Sequence, residues 1–393
     1  MLKSKRRFRN FFKVFILDSL LKSKKSYFCK TDRFLWISSL ILSIYSLLLL
    51  FSVSKSSNFN YFKTHLASIA VGYLGAFFIT KIGYKSLSSR WYVLAAICLS
   101  LMLSTFFVGV SITGNSGVDA RAWIKLPGNV TFQPSEFAKI GFIITFSKHL
   151  DFLKNKEKLN DLKYVILICL HAAVPMALAH LQGDDGATVI FFFMFLIMCY
   201  VAGIKLRYFF ALFLVMLISL PYLWNNVLAD YQKQRLVCQL NLEADPLGMG
   251  FQQLQGKISI GSGKIFGLGL FKGERVANGA VPIQHSDFIF SAIGEELGFI
   301  GCILAISLLL FLILRTMKIS SLSSDLLGSI ICFGFLGIII SQTIFNLGMC
   351  LSLLPVMGVT LPFFSAGGSS VACLYLGLGL VQSVYAEKAL RAK

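Results

Sequence analysis

Repeated apolar stretches of about twenty residues constrain this chain more than any other feature of its sequence. A helix needs roughly 20 apolar residues to cross the hydrocarbon core of a bilayer. It is also the only open segment that satisfies its own backbone hydrogen bonds there. The sequence therefore predicts an all-α, polytopic membrane protein with about ten transmembrane helices, at residues 34–54, 62–83, 91–112, 134–149, 163–181, 187–204, 206–224, 288–314, 325–350 and 360–384.

Composition supports lipid as the main solvent of the chain. Only 14% of the residues are charged and 56% are hydrophobic, and the mean hydropathy is +0.74. A soluble domain carries about 25% charged residues, which this chain lacks. The nine cysteines are scattered, mostly within apolar stretches, and form no C-x-x-C pair. We therefore predict neither disulfides nor a zinc site.

The basic residues that give the net charge of +19 are distributed as in a membrane protein. Eleven Lys or Arg residues lie within the first 33 positions, and most of the others flank apolar stretches. If the N-terminus is cytoplasmic, basic residues occur in the inner segments, whereas the outer loops 182–186 and 351–359 hold none. This positive-inside pattern predicts that both termini are cytoplasmic. It explains the charge without nucleic acid, so we expect no nucleic-acid partner.

The chain divides into one large membrane domain with short ends. Residues 1–33 mix basic and apolar side chains, which predicts an amphipathic segment on the cytoplasmic membrane surface, with a disordered basic tail as the alternative. The transmembrane domain covers 34–386, and 387–393 form a cytoplasmic tail. A loop of about sixty residues, 225–287, separates the seventh and eighth spans on the extracytoplasmic side. Its aromatic and apolar residues indicate that it is ordered.

Polar residues at membrane depth are costly and indicate functional sites. Glu136 and Lys139 are three residues apart in the fourth predicted span, so they can pair. They either neutralise each other or form a charged wall of a substrate cavity. Arg121 and Trp123 precede them, and Trp123 is either an aromatic anchor or part of the site. The Arg121 guanidinium matches phosphate geometry.

Carboxylates occur at two predicted membrane boundaries. Asp184 and Asp185 form a tight outer turn that could bind a cation, although capping of the next helix is the favoured interpretation. Asp287 lies where the long loop re-enters the membrane, with His285 nearby. A carboxylate at the edge of a low-dielectric region has a reason to be a base of raised pKa, while helix capping is the simpler alternative.

The last predicted span begins with small residues beside Pro and Gly. Ser365 belongs to this stretch, at 362–370, where close helix packing is the favoured interpretation and direct substrate contact is the alternative. No nucleotide-binding loop and no Ser-His-Asp order occurs in the sequence. The residues by themselves thus predict an integral membrane protein with an outward-facing polar cavity and acid–base groups.

Several motifs in a fixed order resemble the SEDS family of shape, elongation, division and sporulation proteins. They are Q-P-S-E-F-A-K at 133–139, D-Y-Q-x-Q-R at 230–235, D-P-L-G at 245–248, Q-x-K-I-x-I-G-S-G at 255–263, F-G-x-G at 266–269, H-S-D-F-I-F-S-A-I-G-E-E-L-G at 285–298 and L-P-F-F-S-x-G-G-S-S at 361–370. The K-I-x-I-G-S-G run resembles the RodA branch. The resemblance covers residues 34–386.

This resemblance implies synthesis of glycan strands from lipid II on the outer face of the cytoplasmic membrane. It implies a class B penicillin-binding protein as transpeptidase partner, and other membrane proteins of the elongation complex. Asp287 matches the family's essential aspartate and is our candidate for the general base. Trp123 matches the family's tryptophan after the third span.

The leaving diphosphate needs positive charge, for which Lys139, Arg121 and Lys257 are candidates. A divalent cation, Mg²⁺ or Mn²⁺, is expected by resemblance, with Asp184 and Asp287 as contributors. His285 and Ser365 complete the predicted substrate contacts, together with Glu136.

The chain departs from the family pattern at three positions. Ala122 stands where an Arg usually precedes the tryptophan, Gly183 replaces a Pro, and Ala366 replaces an aromatic or polar residue. The first departure weakens the assignment of Arg121 as a ligand. Three alternatives to an elongation polymerase remain: a lipid II flippase or transporter, a non-catalytic scaffold, and an FtsW-like division-specific polymerase.

Overall fold

A computed structural model describes residues 30–57, 59–110, 121–126, 130–226, 228–239 and 250–391. The amphipathic segment expected within 1–33 lies almost entirely outside the described residues, as do D-P-L-G at 245–248 and the end of the tail. The helices are α1 Arg33–Val53, α2 Asn60–Ile82, α3 Tyr84–Ser89, α4 Trp91–Val108, α5 Pro134–Asn155, α6 Leu162–Leu181, α7 Asp185–Ala202, α8 Leu206–Asn226, α9 Asp230–Cys238, α10 Phe251–Ser262, α11 Glu274–Ala277, α12 Ile289–Ser321, α13 Leu326–Cys350 and α14 Gly368–Arg391.

The all-α, polytopic membrane fold is confirmed. Nine helices within the described ranges are long and apolar enough to cross a membrane. The expected fourth span, α5, has 22 residues but is less apolar because it carries charges. Most of its side chains are buried, so neighbouring helices surround those charges. The ten long helices agree with the number that the apolar stretches predict.

A small antiparallel sheet lies between α4 and α5, and the sequence did not predict it. Its strands are β1 Gly109–Val110, β2 Trp123–Leu126 and β3 Val130–Phe132, in the order β1-β2-β3. Trp123 pairs with Val110, and Ile124 pairs with Phe132. Strands this short give no clear period-2 pattern in the sequence.

Close helix packing forms the centre of the bundle. Helix α14 lies along α2, and α13 contacts α5, α7, α12 and α14. A Cβ atom at Gly379 would lie 2.7 Å from Cα of Ala76, so glycine is what allows α14 and α2 to approach. In contrast, α8 has no buried side chain.

Helix α12 is broken at Gly298, where φ is 65° and ψ is −162°. The segment 264–269 fits into the break and pairs with the backbone groups that the break releases. The amides of Leu268 and Gly269 donate to the carbonyls of Glu295 and Glu296, each at 2.9 Å. On the other side, the amides of residues 299 and 300 donate to the carbonyls of residues 264 and 265. The break therefore leaves none of these four groups unpaired.

The prediction that the last span covers 360–384 is wrong at its start, because the observed helix begins later. Helix α14 begins at Gly368, and residues 351–367 form turns and extended backbone. Leu361, Phe363 and Phe364 are core residues of this non-helical segment, which explains why the apolar pattern extended to them. The long loop contains α9, α10 and α11, so the expectation of order is confirmed for its described part.

Candidate active site at the loop end of the helix bundle

The loop end is the end of the bundle where α9, α10 and α11 lie, and Asp287 is found there just before α12. Asn346 Nδ2 donates to the Asp287 carbonyl at 2.8 Å, and Cys350 Sγ lies 3.5 Å from the same oxygen. The Asp287 carboxylate accepts a hydrogen bond from Ser286 Oγ at 2.6 Å through Oδ1. Its side chain is partly exposed. The backbone of Asp287 is therefore fixed, while the residue stays partly open to the surroundings.

Ser365 holds the same segment from the opposite side. Its hydroxyl donates to the Ser286 carbonyl at 2.6 Å and accepts the Leu361 amide at 2.8 Å. The Ala366 amide donates to the His285 carbonyl at 2.8 Å. Ser365 is buried in a non-helical segment, so these contacts hold backbone rather than pack two helices, and its contact with substrate stays a prediction.

His285 lies flat against Tyr61 of α2. The ring centroids are 3.7 Å apart and the planes differ by 10°. Burial lowers the pKa of His285 to about 4, so the imidazole is neutral at physiological pH. A neutral ring can donate or accept a hydrogen bond, but it does not supply positive charge near Asp287.

Burial also raises the pKa of Asp287 above the ordinary value of a carboxyl group. The hydrogen bond from Ser286 and the positive charge of Arg235 act in the opposite direction. A partly exposed carboxylate whose pKa is raised has the properties of a general base.

Arg235 is a site residue that we did not single out from the sequence. Its Nη1 donates to the Val356 carbonyl at 3.2 Å. Two residues later, a Cβ on Gly358 would lie 3.8 Å from Asp287 Oδ2. Arg235 thus contacts the segment that borders the Asp287 carboxylate. The D-Y-Q-x-Q-R motif was the available signal, but only the fold of α9 brings its arginine to the site.

Glu136 and Lys139 form the ion pair that their spacing predicts. Lys139 Nζ lies 2.8 Å from Glu136 Oε2, and both side chains are buried. The pairing agrees with mutual neutralisation. A role as the wall of a substrate cavity stays a prediction.

Asp184 caps α7, which confirms the favoured interpretation of this turn. Its Oδ1 accepts the Ala187 amide at 2.9 Å. Its Oδ2 accepts hydrogen bonds from Gln133 Nε2 at 2.6 Å and from Ser135 Oγ at 2.9 Å. The described residues include no group of three His, Cys, Asp or Glu side chains suited to a metal ion. They fit direct coordination of a divalent cation poorly, and the cation requirement stays a prediction.

The remaining candidates lie on or beside β2 and on α10. Trp123 is half-buried in β2, and Arg121 is exposed just before that strand. The sheet is tied to the start of α14 because the Gln133 amide donates to Ser369 Oγ at 3.2 Å. Lys257 is exposed on α10, next to Gly256, whose Cβ would lie 2.9 Å from the Phe288 ring.

Glu295 and Glu296 of α12 are buried, and each carboxylate binds a different neighbouring element. Glu295 Oε1 accepts the amides of Arg275 at 2.7 Å and Val276 at 3.3 Å. Glu296 Oε1 accepts a hydrogen bond from Ser52 Oγ. These carboxylates thereby connect α12 with α11 and α1.

Comparisons with known proteins agree with this architecture. The family model for cell cycle proteins of the FtsW, RodA and SpoVE type matches residues 32–390. The chain is 30% identical to the peptidoglycan glycosyltransferase MrdB of Escherichia coli K12 over 373 residues, 94% of this chain and 98% of MrdB. It is 32% identical to stage V sporulation protein E of Bacillus subtilis over 362 residues, 90% of this chain and 96% of that protein.

Two solved structures are similar to the fold. One is the rod shape determining protein RodA of Thermus thermophilus, with a TM-score of 0.67, 25% identity, and coverage of 91% of this chain and 97% of RodA. The other is from a study of polymerization and crosslinking by a peptidoglycan synthase complex, with a TM-score of 0.76, 27% identity, and coverage of 91% and 98%. Because the family model spans almost the whole chain, the resemblance is confirmed. The chain belongs to the FtsW, RodA and SpoVE family of cell cycle proteins and is a multi-pass membrane protein.

Proposed function

We propose that this chain is a peptidoglycan glycosyltransferase that polymerises lipid II into glycan strands, with Asp287 as its general base. The observation that carries the proposal is the partly exposed Asp287 at the loop end, whose backbone is held by Asn346 and whose carboxyl pKa is raised by burial. Support also comes from the relatives, since MrdB and an FtsW of Geobacter metallireducens are named as a peptidoglycan glycosyltransferase and a probable one.

In this reaction a sugar 4-hydroxyl attacks the anomeric carbon of a polyprenyl-diphosphate donor. An alcohol is a poor nucleophile at neutral pH, so Asp287 takes its proton as the new C–O bond forms. The bond from the anomeric carbon to the diphosphate oxygen breaks, and its electron pair leaves with the diphosphate. Because Ser286 donates to Oδ1, Oδ2 is the oxygen that accepts the proton.

Positive charge must stabilise the leaving diphosphate. Arg235 is the strongest candidate because its guanidinium belongs to the group around Asp287 and matches phosphate geometry. Lys139, Arg121 and Lys257 remain candidates, with Trp123, His285 and Glu136 as further substrate contacts. A requirement for Mg²⁺ or Mn²⁺ remains part of the proposal by resemblance, and no step depends on it.

The proposed setting is the cytoplasmic membrane, with both termini in the cytoplasm and the loop end on the extracytoplasmic side. The absence of Lys and Arg from loops 182–186 and 351–359 supports this orientation. The partner would be a class B penicillin-binding protein, as the structural similarity to a peptidoglycan synthase complex suggests. Other membrane proteins of the elongation complex would join it.

The test is synthesis of glycan strands by purified protein. Lipid II is incubated with the wild type and with Asp287→Asn, with and without a partner penicillin-binding protein whose catalytic serine is disabled. We expect a ladder of strands on a gel from the wild type, and a loss of about 10²-fold or more in the mutant. A ladder of equal intensity from well-folded Asp287→Asn would remove the base assignment. No ladder from either protein would favour a transporter or a scaffold.

A division-specific polymerase is the second candidate, because the chain is 33% identical to the Geobacter metallireducens FtsW over 293 residues. Depletion in the native cell separates the two roles. Rounded cells would indicate elongation, and filaments without septa would indicate division.

A further inference from the structure

Asp185 fixes one end of α9, the short helix at the loop end. Gln232 Nε2 donates to Asp185 Oδ2 at 2.6 Å. The other carboxylate oxygen, Oδ1, is 2.8 Å from His180 Nδ1. Asp185 also belongs to the first turn of α7, where the helix dipole stabilises negative charge. The carboxylate is therefore a well-held hydrogen-bond acceptor, although it is partly exposed.

The Gln232 side chain can bind Asp185 in one orientation only. Its Oε1 accepts the Ala229 amide at 3.0 Å, which satisfies a free donor at the start of α9. The amide nitrogen is then the group that faces Asp185. A single glutamine thereby caps α9 and attaches it to α7.

The far half of α9 is attached to the segment that borders Asp287. Arg235 Nη1 donates to the Val356 carbonyl at 3.2 Å, and Gln239 Nε2 donates to the Ser352 carbonyl at 2.6 Å. Helix α9 thus lies between the start of α7 and the edge of the candidate site. Arg235 is held at the edge of the candidate site.

Two apolar side chains in the second half of α9 are largely exposed. Leu236 and Val237 are 41% and 56% exposed. The helix has nine residues, and isolated helices shorter than about 12–15 residues are marginal in water. Its position therefore depends on polar anchors at its ends.

We propose that Asp185 is a positioning residue for glycosyl transfer: through Gln232 it holds α9 so that Arg235 stays beside Asp287 and meets the diphosphate of the donor. This inference rests on the proposed function. Asp185 directly follows Asp184, the residue that caps α7, so the two adjacent carboxylates have separate partners.

Three variants test the contact by kinetics. Asp185→Ala removes the acceptor, and we expect kcat/KM for lipid II to fall about tenfold. Asp185→Asn keeps a carbonyl oxygen for Gln232 and loses only the acceptor for His180, so it should stay within about twofold of the wild type. Adding Asp185→Ala to Arg235→Gln should cause no further loss, because residues that act through one another are not additive. Asp230→Ala is the matched control, since this carboxylate is on α9 but 94% exposed.

Amide hydrogen exchange gives a second readout that needs no activity. In Asp185→Ala the amides of 230–238 should exchange faster, while those of α10 should keep the wild-type rate. Asp185→Asn should restore slow exchange. A variant that only loses global stability would raise exchange throughout the loop instead.

The inference is overturned if kcat/KM of Asp185→Asn falls as far as that of Asp185→Ala. It is also overturned if the double variant Asp185→Ala/Arg235→Gln loses the product of the two single losses. Unchanged exchange of the α9 amides in Asp185→Ala would overturn it as well. If the wild type makes no glycan strands, the proposed function fails, and the exchange experiment alone decides whether Asp185 holds α9.

Discussion

Asp287 combines two properties that oppose each other at neutral pH. Burial raises its pKa, which makes the carboxylate a stronger base. The same burial makes the ionised form costly for the folded protein. Asn346 and Ser365 hold the backbone around it, so the segment keeps its conformation despite this cost.

The rate of polymerisation should therefore fall on acidification at a higher pH than for an ordinary carboxylate. A base acts when it is deprotonated, so activity is lost as pH falls through the raised pKa of Asp287. Arg235→Gln removes a charge that lowers this pKa, and the acid limb should move to higher pH. Initial rates measured across pH test this, with Lys233→Gln on the same helix as control. If the acid side of the pH–rate profile were the same in Arg235→Gln and the wild type, Arg235 would not act on the pKa of Asp287.

Asp287→Asn should abolish activity without lowering stability. A folded-state pKa above the unfolded value means that the stabilising contribution is complete at low pH and is lost as pH rises through the folded pKa. At pH 7 the neutral amide avoids that loss, so the melting temperature in detergent should equal or exceed that of the wild type. Below about pH 4 the difference should vanish. A clearly lower melting temperature at pH 7 would show that the carboxylate stabilises the fold.

At the scale of elements, the break in helix α12 depends on the segment 264–269, which lies before that helix in the sequence. Gly298 has backbone angles that only glycine adopts readily. A Cβ there would lie 2.5 Å from the carbonyl oxygen of Ile265 and would also meet the amide of Gly267. The break and the segment 264–269 are thus one structural unit.

Gly298→Ala should destabilise the protein by about 3 kcal/mol or more, because backbone strain adds to a clash with backbone atoms. Thermal unfolding in detergent measures this. Gly261→Ala is the control, since a Cβ there has nothing within 4 Å and alanine favours helix by up to about 1 kcal/mol. If both variants unfolded at the same temperature, the break would not depend on glycine.

Some elements could be predicted from the sequence and others could not. The apolar stretches predict the spanning helices because the requirement for about 20 residues is set by the bilayer. The break at Gly298 has no such signal, since its hydrogen-bond partners come from 264–269 and depend on the tertiary fold. In the candidate site, Asp287 could be proposed from the sequence because it lies at a membrane boundary and matches the family's essential aspartate. Arg235 could not, because only the path of α9 brings it there.

At the scale of the whole molecule, one aspartate joins three helices at the end opposite the loop end. Asp32 precedes α1 and accepts hydrogen bonds from Arg315 of α12 at 3.0 and 3.1 Å. Its backbone amide and carbonyl bind the side chain of Gln382 of α14 at 2.8 and 2.9 Å. The first and last described spans are thereby connected through a buried carboxylate.

Arg315→Met should lower stability by about 3–5 kcal/mol, since it leaves the buried Asp32 carboxylate without its cation. Adding Asp32→Asn should recover part of the loss by removing the unpaired charge. Lys233→Met, at the exposed pair with Asp230, should change stability by less than about 1 kcal/mol. Melting temperatures of the four proteins make the comparison. Equal losses from both lysine and arginine variants would contradict the role of burial.

The paired break in α12 also has a consequence for how this protein can change in evolution. Substitutions within 264–269 alter side chains, whereas its backbone makes the contacts with α12. An insertion or deletion of one residue would shift every one of these hydrogen bonds out of alignment. The length of this segment should therefore be more constant among descendants of this chain than its sequence.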